Sequence, residues 1–282
     1  ILKQNLTPEQ CFKAARECGA PVISIAGGEP LMHPQIVEIV KGLVAMKRFI
    51  YLCTNAILLQ DHFDQLPVTP YLTLSIHLDG MEEDHDRIVD QKGTFKLAIA
   101  AIQEAKKRGF RVTSATTFFE DTTVEKAEEF LDFLTPFGLD GITMASAFRY
   151  QDAPDQDHFF GRRRTFEFFD KLLAKNKKGR WDFSHSPLYL EFLRGKRDYS
   201  CTPWGNPSYS VLGWQKPCYL LDEGYAETFK ELMETTEWEN YGHQNNRKCA
   251  DCTAHCGYEP TAVEDATSSL KGMFDSAKMV FQ

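Results

Sequence analysis

The sequence has 282 residues, enough for one large α/β domain and a smaller second one, and its apolar content of 43% supports a sizeable core. A net charge of −8 argues against a nucleic-acid binder that depends on general attraction to phosphate. No apolar run approaches the roughly 20 residues that a membrane-spanning helix needs.

The first half of the chain alternates short β-branched strands with amphipathic helices. Thr7-Pro8-Glu9-Gln10 predicts a capped helix that ends at Gly19. Strands are then predicted at 22–26, 49–54, 72–78, 111–118 and 141–145, with helices near 36–44, 94–108 and 122–134. This alternation is typical of a parallel sheet, and a sixth strand is expected upstream of Ile1. Because the dinucleotide-binding glycine pattern is absent, an α/β partial TIM-type (β/α)6 barrel is favoured over a Rossmann sheet.

The pattern changes in the second half of the chain. A helix with basic and aromatic residues follows Ala153, and beyond Trp181 the sequence is rich in turns and holds five cysteines. The prediction is a partial-barrel domain over 1–180 and a small Cys-rich C-terminal auxiliary or substrate domain over 181–282. Within that second domain, only 224–236 reads as a short amphipathic helix.

Polar residues collect where the predicted strands end. The first strand runs into Gly27-Gly28-Glu29-Pro30, where two glycines let a ligand approach the main chain closely. On the next strand, alternation places Tyr51, Cys53 and Asn55 on one face. The third strand carries Thr73, Ser75, His77 and Asp79 on one face. A purely structural barrel fills its interior with Val, Ile and Leu, so these residues predict a polar ligand in the barrel mouth.

These stretches resemble the radical S-adenosylmethionine (SAM) enzymes. The resemblance implies that Gly27, Gly28, Glu29 and Pro30 receive the amino group of SAM, as their loop does in that family. It also implies that Asn55, Ser75 and His77 contact the ribose or carboxylate of SAM, and that Arg87, in His85-Asp86-Arg87, pairs with the carboxylate. The alternatives are a hydrogen-bonded core histidine for His77 and a solvated surface charge for Arg87.

One family motif is missing. The Cys-x-x-x-Cys-x-x-Cys that holds the catalytic 4Fe-4S cluster in radical SAM enzymes is absent from residues 1–282. In the family it precedes a helix like the one predicted after Thr7, and this chain does not begin with Met. The ligands of the 4Fe-4S cluster are therefore expected upstream of Ile1. If they do not exist, the remaining interpretation is a binding protein without radical chemistry.

The late cysteines form a separate signal. They are Cys201 and Cys218, spaced as Cys-x11-Gly-x4-Cys, and Cys249, Cys252 and Cys256, spaced as Cys-x2-Cys-x3-Cys. The first spacing matches the hairpin of auxiliary-cluster domains appended to radical SAM enzymes. An iron–sulfur cluster is typically held by four thiolates, so one cysteine is spare, with Cys256 or Cys249 as the candidates. Structural zinc, unpaired thiols and a disulfide are the alternatives.

Longer stretches, namely 19–31, 51–56, 201–207, 213–219 and 248–259, resemble the hopanoid-biosynthesis branch of the radical SAM family. The resemblance implies addition of the 5′-deoxyadenosyl radical to the alkene of diploptene, an apolar triterpene, with an external electron donor. Such addition leaves a tertiary carbon radical that must gain a hydrogen atom, or an electron and a proton. Cys53 is the predicted catalytic hydrogen donor; the alternative is a small buried apolar residue.

An apolar lipid substrate has further implications. The phenylalanines between 118 and 192 would line a long cavity, although core packing is the commoner role. The basic and aromatic segment 162–180 would rest on an anionic membrane surface, with a solvated helix face as the alternative. A cytoplasmic protein with peripheral contact at the inner membrane is therefore expected. The competing functions are a peptide- or protein-modifying radical SAM maturase and a non-catalytic zinc-knuckle scaffold.

Overall fold

The computed structural model of the protein describes residues 4–150, 156–221, 223–268 and 273. The chain divides into two compact units. Residues 1–116 with 132–143 form the first unit, and residues 117–131 with 144–282 form the second. This division by packing does not test the predicted domain boundary near residue 180, which stays a prediction.

The first half of the chain alternates strands and helices, as its hydrophobic pattern predicts. Its elements are α1 (Pro8–Cys18), β1 (Val22–Ile25), α2 (Ile36–Ala45), β2 (Phe49–Thr54), α3 (Leu59–His62), β3 (Leu72–His77), α4 (Glu82–Ile88), α5 (Thr94–Lys107), β4 (Arg111–Phe118), α6 (Val124–Leu134) and β5 (Ile142–Ser146). The five strands form one sheet in the order β1-β2-β3-β4-β5. They are parallel and curl into a half-barrel, which confirms the predicted partial TIM-type barrel.

The start of α1 shows how the sequence sets the local structure. The Thr7 hydroxyl accepts a hydrogen bond from the Gln10 N–H, and the Gln10 side chain accepts one from the Thr7 N–H. This is the predicted capping box, and it satisfies two backbone donors that the first helical turn leaves free. The helix ends at Gly19, whose φ of 70° lies in the left-handed region.

The register of the sheet separates an apolar face from a polar one. Leu52 of β2 lies opposite Leu74 of β3, which lies opposite Val112 of β4, and all three are completely buried. One residue further along, Cys53, Ser75 and Thr113 are paired in the same way, with their side chains on the other face. Strand alternation thus places a polar row on the interior of the half-barrel.

The second unit contains helices, a small sheet and a core rich in aromatic residues. Its further elements are α7 (Arg162–Leu173), α8 (Pro187–Leu193), β6 (Tyr209–Ser210), β7 (Gly213–Gln215), β8 (Tyr225–Ala226), α9 (Phe229–Thr235) and α10 (His255–Ser268). Strands β6, β7 and β8 form an antiparallel sheet. The sequence pattern predicted α9 but not α8 or α10.

The phenylalanines of the second unit pack against one another. Phe118 and Phe168 have ring centroids 5.2 Å apart, and Phe160 lies 5.3 Å from Phe168. Phe192 stacks on Tyr258 at 4.5 Å. All five rings are fully buried, so these residues form core, the alternative to a substrate cavity.

The segment 162–180 also uses its side chains within the protein. Phe168 and Phe169 are completely buried, while Arg163 pairs with Glu167 at 2.8 Å and Lys175 pairs with Glu128 at 2.6 Å. Contact of this segment with a membrane surface stays a prediction. Within the described part of the chain, no helix combines the length and the apolar character needed to cross a bilayer.

Candidate functional site

The carboxylate of Glu29 ties the glycine loop to the end of β2. Its Oε1 accepts hydrogen bonds from the Thr54 hydroxyl at 2.8 Å and the Leu31 N–H at 3.0 Å. Its Oε2 accepts one from the Asn55 N–H at 2.8 Å. Hydrogen bonds to an ionised carboxylate are stronger than neutral ones. Glu29 therefore fixes the shape of the loop and the position of the β2 terminus together.

The two glycines of this loop leave open space above the main chain. A Cβ built on Gly27 or Gly28 would meet no atom within 4 Å, and both residues are exposed. Gly27 has a φ of 131°, which residues with side chains rarely adopt. Pro30 is buried and begins a short 3₁₀ helix, Pro30–Met32. The loop thus exposes the main chain of Gly27 and Gly28 next to the buried Pro30.

Cys53 lies in a row of hydroxyl groups on the interior face of the sheet. Its Sγ is 3.3 Å from the Ser24 Oγ of β1, and it is paired with Ser75 of β3. Next in the row, the Thr113 hydroxyl is buried and has no hydrogen-bond partner among the residues that the structure describes. An unpaired buried hydroxyl costs about 1–3 kcal/mol, so a bound molecule that supplies a partner would recover that cost.

The environment of Cys53 keeps its thiol protonated. Burial raises the pKa of this thiol, and the hydrogen bonds from Ser24 and Ser75 offset the rise only in part. The charge of Glu29 adds to the rise. A thiol that holds its proton at neutral pH is a poor nucleophile but a competent source of a hydrogen atom.

His77, Asp79 and His85 form a hydrogen-bonded group beyond the end of β3. The His77 Nε2 is 2.6 Å from the Asp79 Oδ2, and the His85 Nδ1 accepts a hydrogen bond from the Asp79 N–H at 3.2 Å. Burial lowers the pKa of His77, but the hydrogen bond and charge of Asp79 outweigh this and raise it above 6.5. Burial and the neighbouring His77 lower the pKa of His85. His77 is thus the histidine favoured to carry the proton.

Arg87 and its neighbours have structural partners. Arg87 lies on α4 with half its side chain exposed and pairs with Asp84 at 3.1 Å. Asp86 accepts hydrogen bonds from the Gly93 and Phe95 N–H groups at the start of α5. Arg87 thus lies on the surface of α4, and its contact with the carboxylate of SAM stays a prediction.

In the second unit, the five late cysteines line one cavity. Its other walls are mainly aromatic and apolar, and include Phe148, Tyr150, Leu220, Leu221, Tyr241 and Tyr258. The five thiols are Cys201, Cys218, Cys249, Cys252 and Cys256, all of them free. They come from separate loops, a 3₁₀ turn and the first turn of α10. Tertiary folding thus brings together residues that are up to 55 positions apart (256 − 201).

The cavity holds its thiols in the protonated form. Burial, and then the neighbouring thiols, raise the pKa of Cys256 to about 12 and those of Cys201 and Cys252 well above the usual value. A bound metal would displace these protons. Among the described residues, no three His, Cys, Asp or Glu side chains already have the arrangement of a metal site. The donor set suits a thiolate-bound metal, and the thiols must draw closer to bind one.

Arg162 packs directly behind the cysteine loop. Its backbone N–H donates to the Asp251 carboxylate at 3.0 Å, and its Nη1 donates to the Cys252 carbonyl at 2.6 Å. The guanidinium lies over the rings of Phe166, Phe192 and Tyr258, with centroid distances of 5.0–5.3 Å. The sequence pattern treated Arg162 only as part of a basic helix face. Its position at the start of a helix with an aromatic residue one turn later was the available signal.

Comparison with protein families gives a separate match for each part of the chain. Residues 1–134 match the family model of the Radical SAM superfamily. Residues 1–134 are therefore similar to the Radical SAM superfamily. Residues 142–276 match a different family model, "Domain of unknown function (DUF3463)". The first family match contains the Gly27–Pro30 loop, and the second contains all five late cysteines.

The curated proteins that are similar to this chain carry several names. A probable GTP 3′,8-cyclase of Methanococcus maripaludis is 21% identical over 238 residues, covering 81% of this chain and 78% of the relative. The GTP 3′,8-cyclase of Clostridium perfringens is 26% identical and covers 46% of this chain and 41% of the relative. The pre-heme d1 synthase of Dinoroseobacter shibae is 23% identical, with 69% and 48% covered. The chain therefore spans less than half of two of these three relatives.

Solved structures support the same fold. SuiB of Streptococcus suis bound to precursor peptide SuiA has a TM-score of 0.58 at 15% identity, covering 70% of this chain and 47% of that one. The anSMEcpe structure with bound AdoMet has a TM-score of 0.55 at 16% identity, covering 88% and 77%. At these identities the likeness concerns the fold alone.

The residues at the strand ends of the first unit fit a bound SAM molecule. The exposed backbone N–H and C=O groups at Gly27 and Gly28 can bind the methionine part of SAM. The unpaired Thr113 hydroxyl can form a further hydrogen bond with the ligand. The strand register places Cys53 opposite Ser75 and leaves His77 two residues further along the same face. The structure thus gathers Cys53, Ser75 and His77 on one face, anchors Asn55 to Glu29, and leaves Arg87 on a helix surface.

Proposed function

We propose that this radical SAM enzyme adds the 5′-deoxyadenosyl radical to the terminal alkene of diploptene and forms adenosylhopane. When bound, SAM and a 4Fe-4S cluster would supply that radical, with one electron from an external donor. The proposal is supported by the resemblance of five stretches along the chain to the hopanoid-biosynthesis branch. It is also supported by one observation on the site, a protonated thiol at Cys53 on the interior face of the half-barrel.

Cys53 meets the chemical requirement of such an addition. The product radical, on a tertiary carbon, takes the hydrogen atom of the Cys53 thiol, so an S–H bond breaks and a C–H bond forms. The sulfur radical that remains gains one electron from the external donor and one proton, which restores the thiol. Ser24, 3.3 Å from Cys53, orients the sulfur within the row.

The neighbouring residues position the reactants. Glu29 holds the glycine loop against the end of β2, adjacent in sequence to Cys53, through Thr54 and Asn55. His77, with its raised pKa, carries a positive charge more readily than an ordinary histidine. A positive charge on this face suits the carboxylate of an amino-acid ligand.

The test uses the protein expressed from its full reading frame and reconstituted anaerobically with iron and sulfide. It is given SAM, dithionite and diploptene, and the products are identified by mass spectrometry. We expect a hopane–adenosine adduct. Formation of 5′-deoxyadenosine without an adduct would reject diploptene as the substrate and keep the radical class. If the purified protein contains zinc but no iron, and neither the adduct nor 5′-deoxyadenosine forms, the scaffold alternative would be favoured.

The role of Cys53 is tested in the same assay. We expect Cys53→Ser to consume SAM but to yield at least about tenfold less adduct, because a hydroxyl gives up a hydrogen atom far less readily than a thiol. Cys18→Ser is the matched control, since Cys18 lies on α1 and is also half-buried. Equal adduct from Cys53→Ser and the wild type would reject this role for Cys53.

The curated relatives favour a second candidate, a reaction on a nucleotide. The Methanococcus relative, a probable GTP 3′,8-cyclase, is similar over 81% of this chain. Replacing diploptene by GTP in the same assay tests it, and GTP-dependent formation of a cyclised nucleotide would support it over the lipid reaction. The maturase alternative rests on a likeness of fold to SuiB and anSMEcpe and receives no further support.

We also propose that four of the five late cysteines hold a metal group, either an auxiliary 4Fe-4S cluster or zinc. The support is their convergence on one cavity. Cys256 is buried and hydrogen-bonded to the Tyr219 hydroxyl, which favours it over Cys249 as the spare thiol. Metal content of the five Cys→Ala single variants tests the assignment: Cys256→Ala alone should keep the metal.

A further inference from the structure

We propose that Arg162 is the cation that offsets the negative charge of the metal group in the cysteine cavity. This inference rests on the proposed metal site in the second unit. Four thiolates around one Zn²⁺ carry a net charge of −2, and four thiolates around an oxidised 4Fe-4S cluster carry the same charge. A charge of that size in a cavity lined mainly by apolar and aromatic groups requires compensation nearby.

The placement of Arg162 fits this role. Its Nη1 contacts the carbonyl of Cys252, one of the proposed ligands, at 2.6 Å, and also the hydroxyl of Tyr258, which lines the cavity, at 3.4 Å. Its Nη2 is buried and has no hydrogen-bond acceptor within the described ranges of the chain.

The charge of the Arg162 guanidinium is not already offset by a carboxylate of the described residues. Within the ranges that the structure describes, its guanidinium forms no salt bridge with a carboxylate; the Asp251 carboxylate accepts from the Arg162 backbone N–H instead. Lys248, a cation that lines the cavity, is already paired with Glu223 at 2.8 Å. Arg162 therefore acts through the cysteine loop as a charge-supplying and positioning residue.

The chain offers a matched pair of variants to test this role. Arg162→Gln removes the charge, whereas Arg162→Lys keeps it without the planar guanidinium. Arg163→Gln is the control, since Arg163 is the next residue of α7, its side chain is 92% exposed and it pairs with Glu167 on the helix surface. The 282 residues contain no Cys-x-x-x-Cys-x-x-Cys motif, so metal bound by them is not held by that motif.

The first measurement is the retention of iron or zinc against a competing chelator. Loss of an outer partner of metal ligands typically lowers metal affinity about 10- to 100-fold, and we expect that loss for Arg162→Gln. Arg162→Lys and Arg163→Gln should stay close to the wild type. Equal losses in Arg162→Lys and Arg162→Gln would overturn charge compensation and leave only a packing role.

The second measurement applies if the metal is iron. Reduction adds negative charge to the cluster, so removal of a nearby positive charge should lower its midpoint potential in Arg162→Gln and not in Arg163→Gln. An unchanged potential and unchanged retention in Arg162→Gln would overturn the inference while leaving the metal site intact. A wild-type chain that binds no metal would overturn both, and a Cys201→Ala/Cys218→Ala double variant that keeps its metal would reject the site itself.

Discussion

The strand-end site of the first unit and the cysteine cavity of the second are built in opposite ways. The first is placed by a parallel sheet, where alternation and register put Cys53, Ser75 and Thr113 in one row. The second is placed by loops and helix ends that converge from distant parts of the sequence. In the first site, Glu29 is hydrogen-bonded to Thr54 and Asn55, and Asp79 is paired with His77. In the second site, five thiols with raised pKa values line one cavity.

The difference indicates what each site needs in order to work. A site on a sheet is rigid before its ligand arrives, so its unpaired groups, such as the Thr113 hydroxyl, serve recognition. In a cavity built from loops, a bound metal displaces the protons of the thiols and forms bonds to the sulfur atoms. The free energy of metal binding then adds to the free energy of folding. Removing groups from the second site should therefore affect stability most, and removing groups from the first should affect binding most.

The largest effect is expected at the cysteine cavity. The Cys201→Ala/Cys218→Ala double variant should lose the metal and melt at least about 10 °C lower, because the loops lose the bonds that hold them together. Differential scanning fluorimetry with metal analysis measures both quantities. Cys11→Ala/Cys18→Ala on α1 is the control, expected to keep the metal; equal melting points for the two double variants would contradict a structural metal in the second unit.

The next effect is expected at the glycine loop. Glu29→Ala removes the acceptor of three hydrogen bonds and should weaken SAM binding about 10- to 100-fold, because the loop is no longer fixed to β2. Isothermal titration calorimetry with SAM measures this. Glu83→Ala on the exposed side of α4 should bind as the wild type does. SAM affinity that survives in Glu29→Ala would show that the loop keeps its shape without the anchor.

A smaller effect is expected at Thr113, where a substitution should raise the stability of the ligand-free protein and weaken the binding of SAM. Thr113→Val removes an unpaired buried hydroxyl at nearly constant volume and should stabilise the ligand-free protein by about 1 kcal/mol, with weaker SAM binding. Thr165→Val is the matched control, since the equally buried Thr165 donates to Ser146 at 3.0 Å and should be destabilised instead. Thermal melts with and without SAM separate the two signs, and a destabilised ligand-free Thr113→Val would refute the assignment.

The smallest effect is a pH dependence at His77. A histidine whose folded pKa lies above 6.5 contributes stability below pH 6.5, and that contribution is lost as the pH rises through the folded pKa. His77→Gln should therefore lower the melting temperature more at pH 5.5 than at pH 9. The difference should stay within about 1 kcal/mol, or about 2–4 °C, because 39% of the side chain is exposed.

The partner of His77 gives the complementary variant. Asp79→Asn removes the charge that raises the pKa of His77, so burial should then lower it. The pH dependence of the His77→Gln effect should disappear in an Asp79→Asn background. If it persists unchanged, another group is responsible for the titration.

The sequence by itself determined the half-barrel and the contents of its polar face. The five predicted strands agree with the observed ones to within one residue at each end, and the capping box at Thr7 was predicted from Thr7-Pro8-Glu9-Gln10. A period of two residues fixes which side chains share a face of a strand, and parallel neighbours align their carboxyl ends. Cys53, Ser75 and His77 could therefore be grouped from the sequence.

Only the tertiary structure decided what those residues and the second unit contact. The binding of SAM by Glu29 stays a prediction, and only the structure showed that its carboxylate also accepts hydrogen bonds from Thr54 and Asn55. Phe118, Phe160, Phe168 and Phe192 became core. Arg162 became the neighbour of Cys252 across 90 residues. Local periodicity encodes the faces of strands and helices, whereas contacts between distant loops depend on packing that no short stretch of sequence contains.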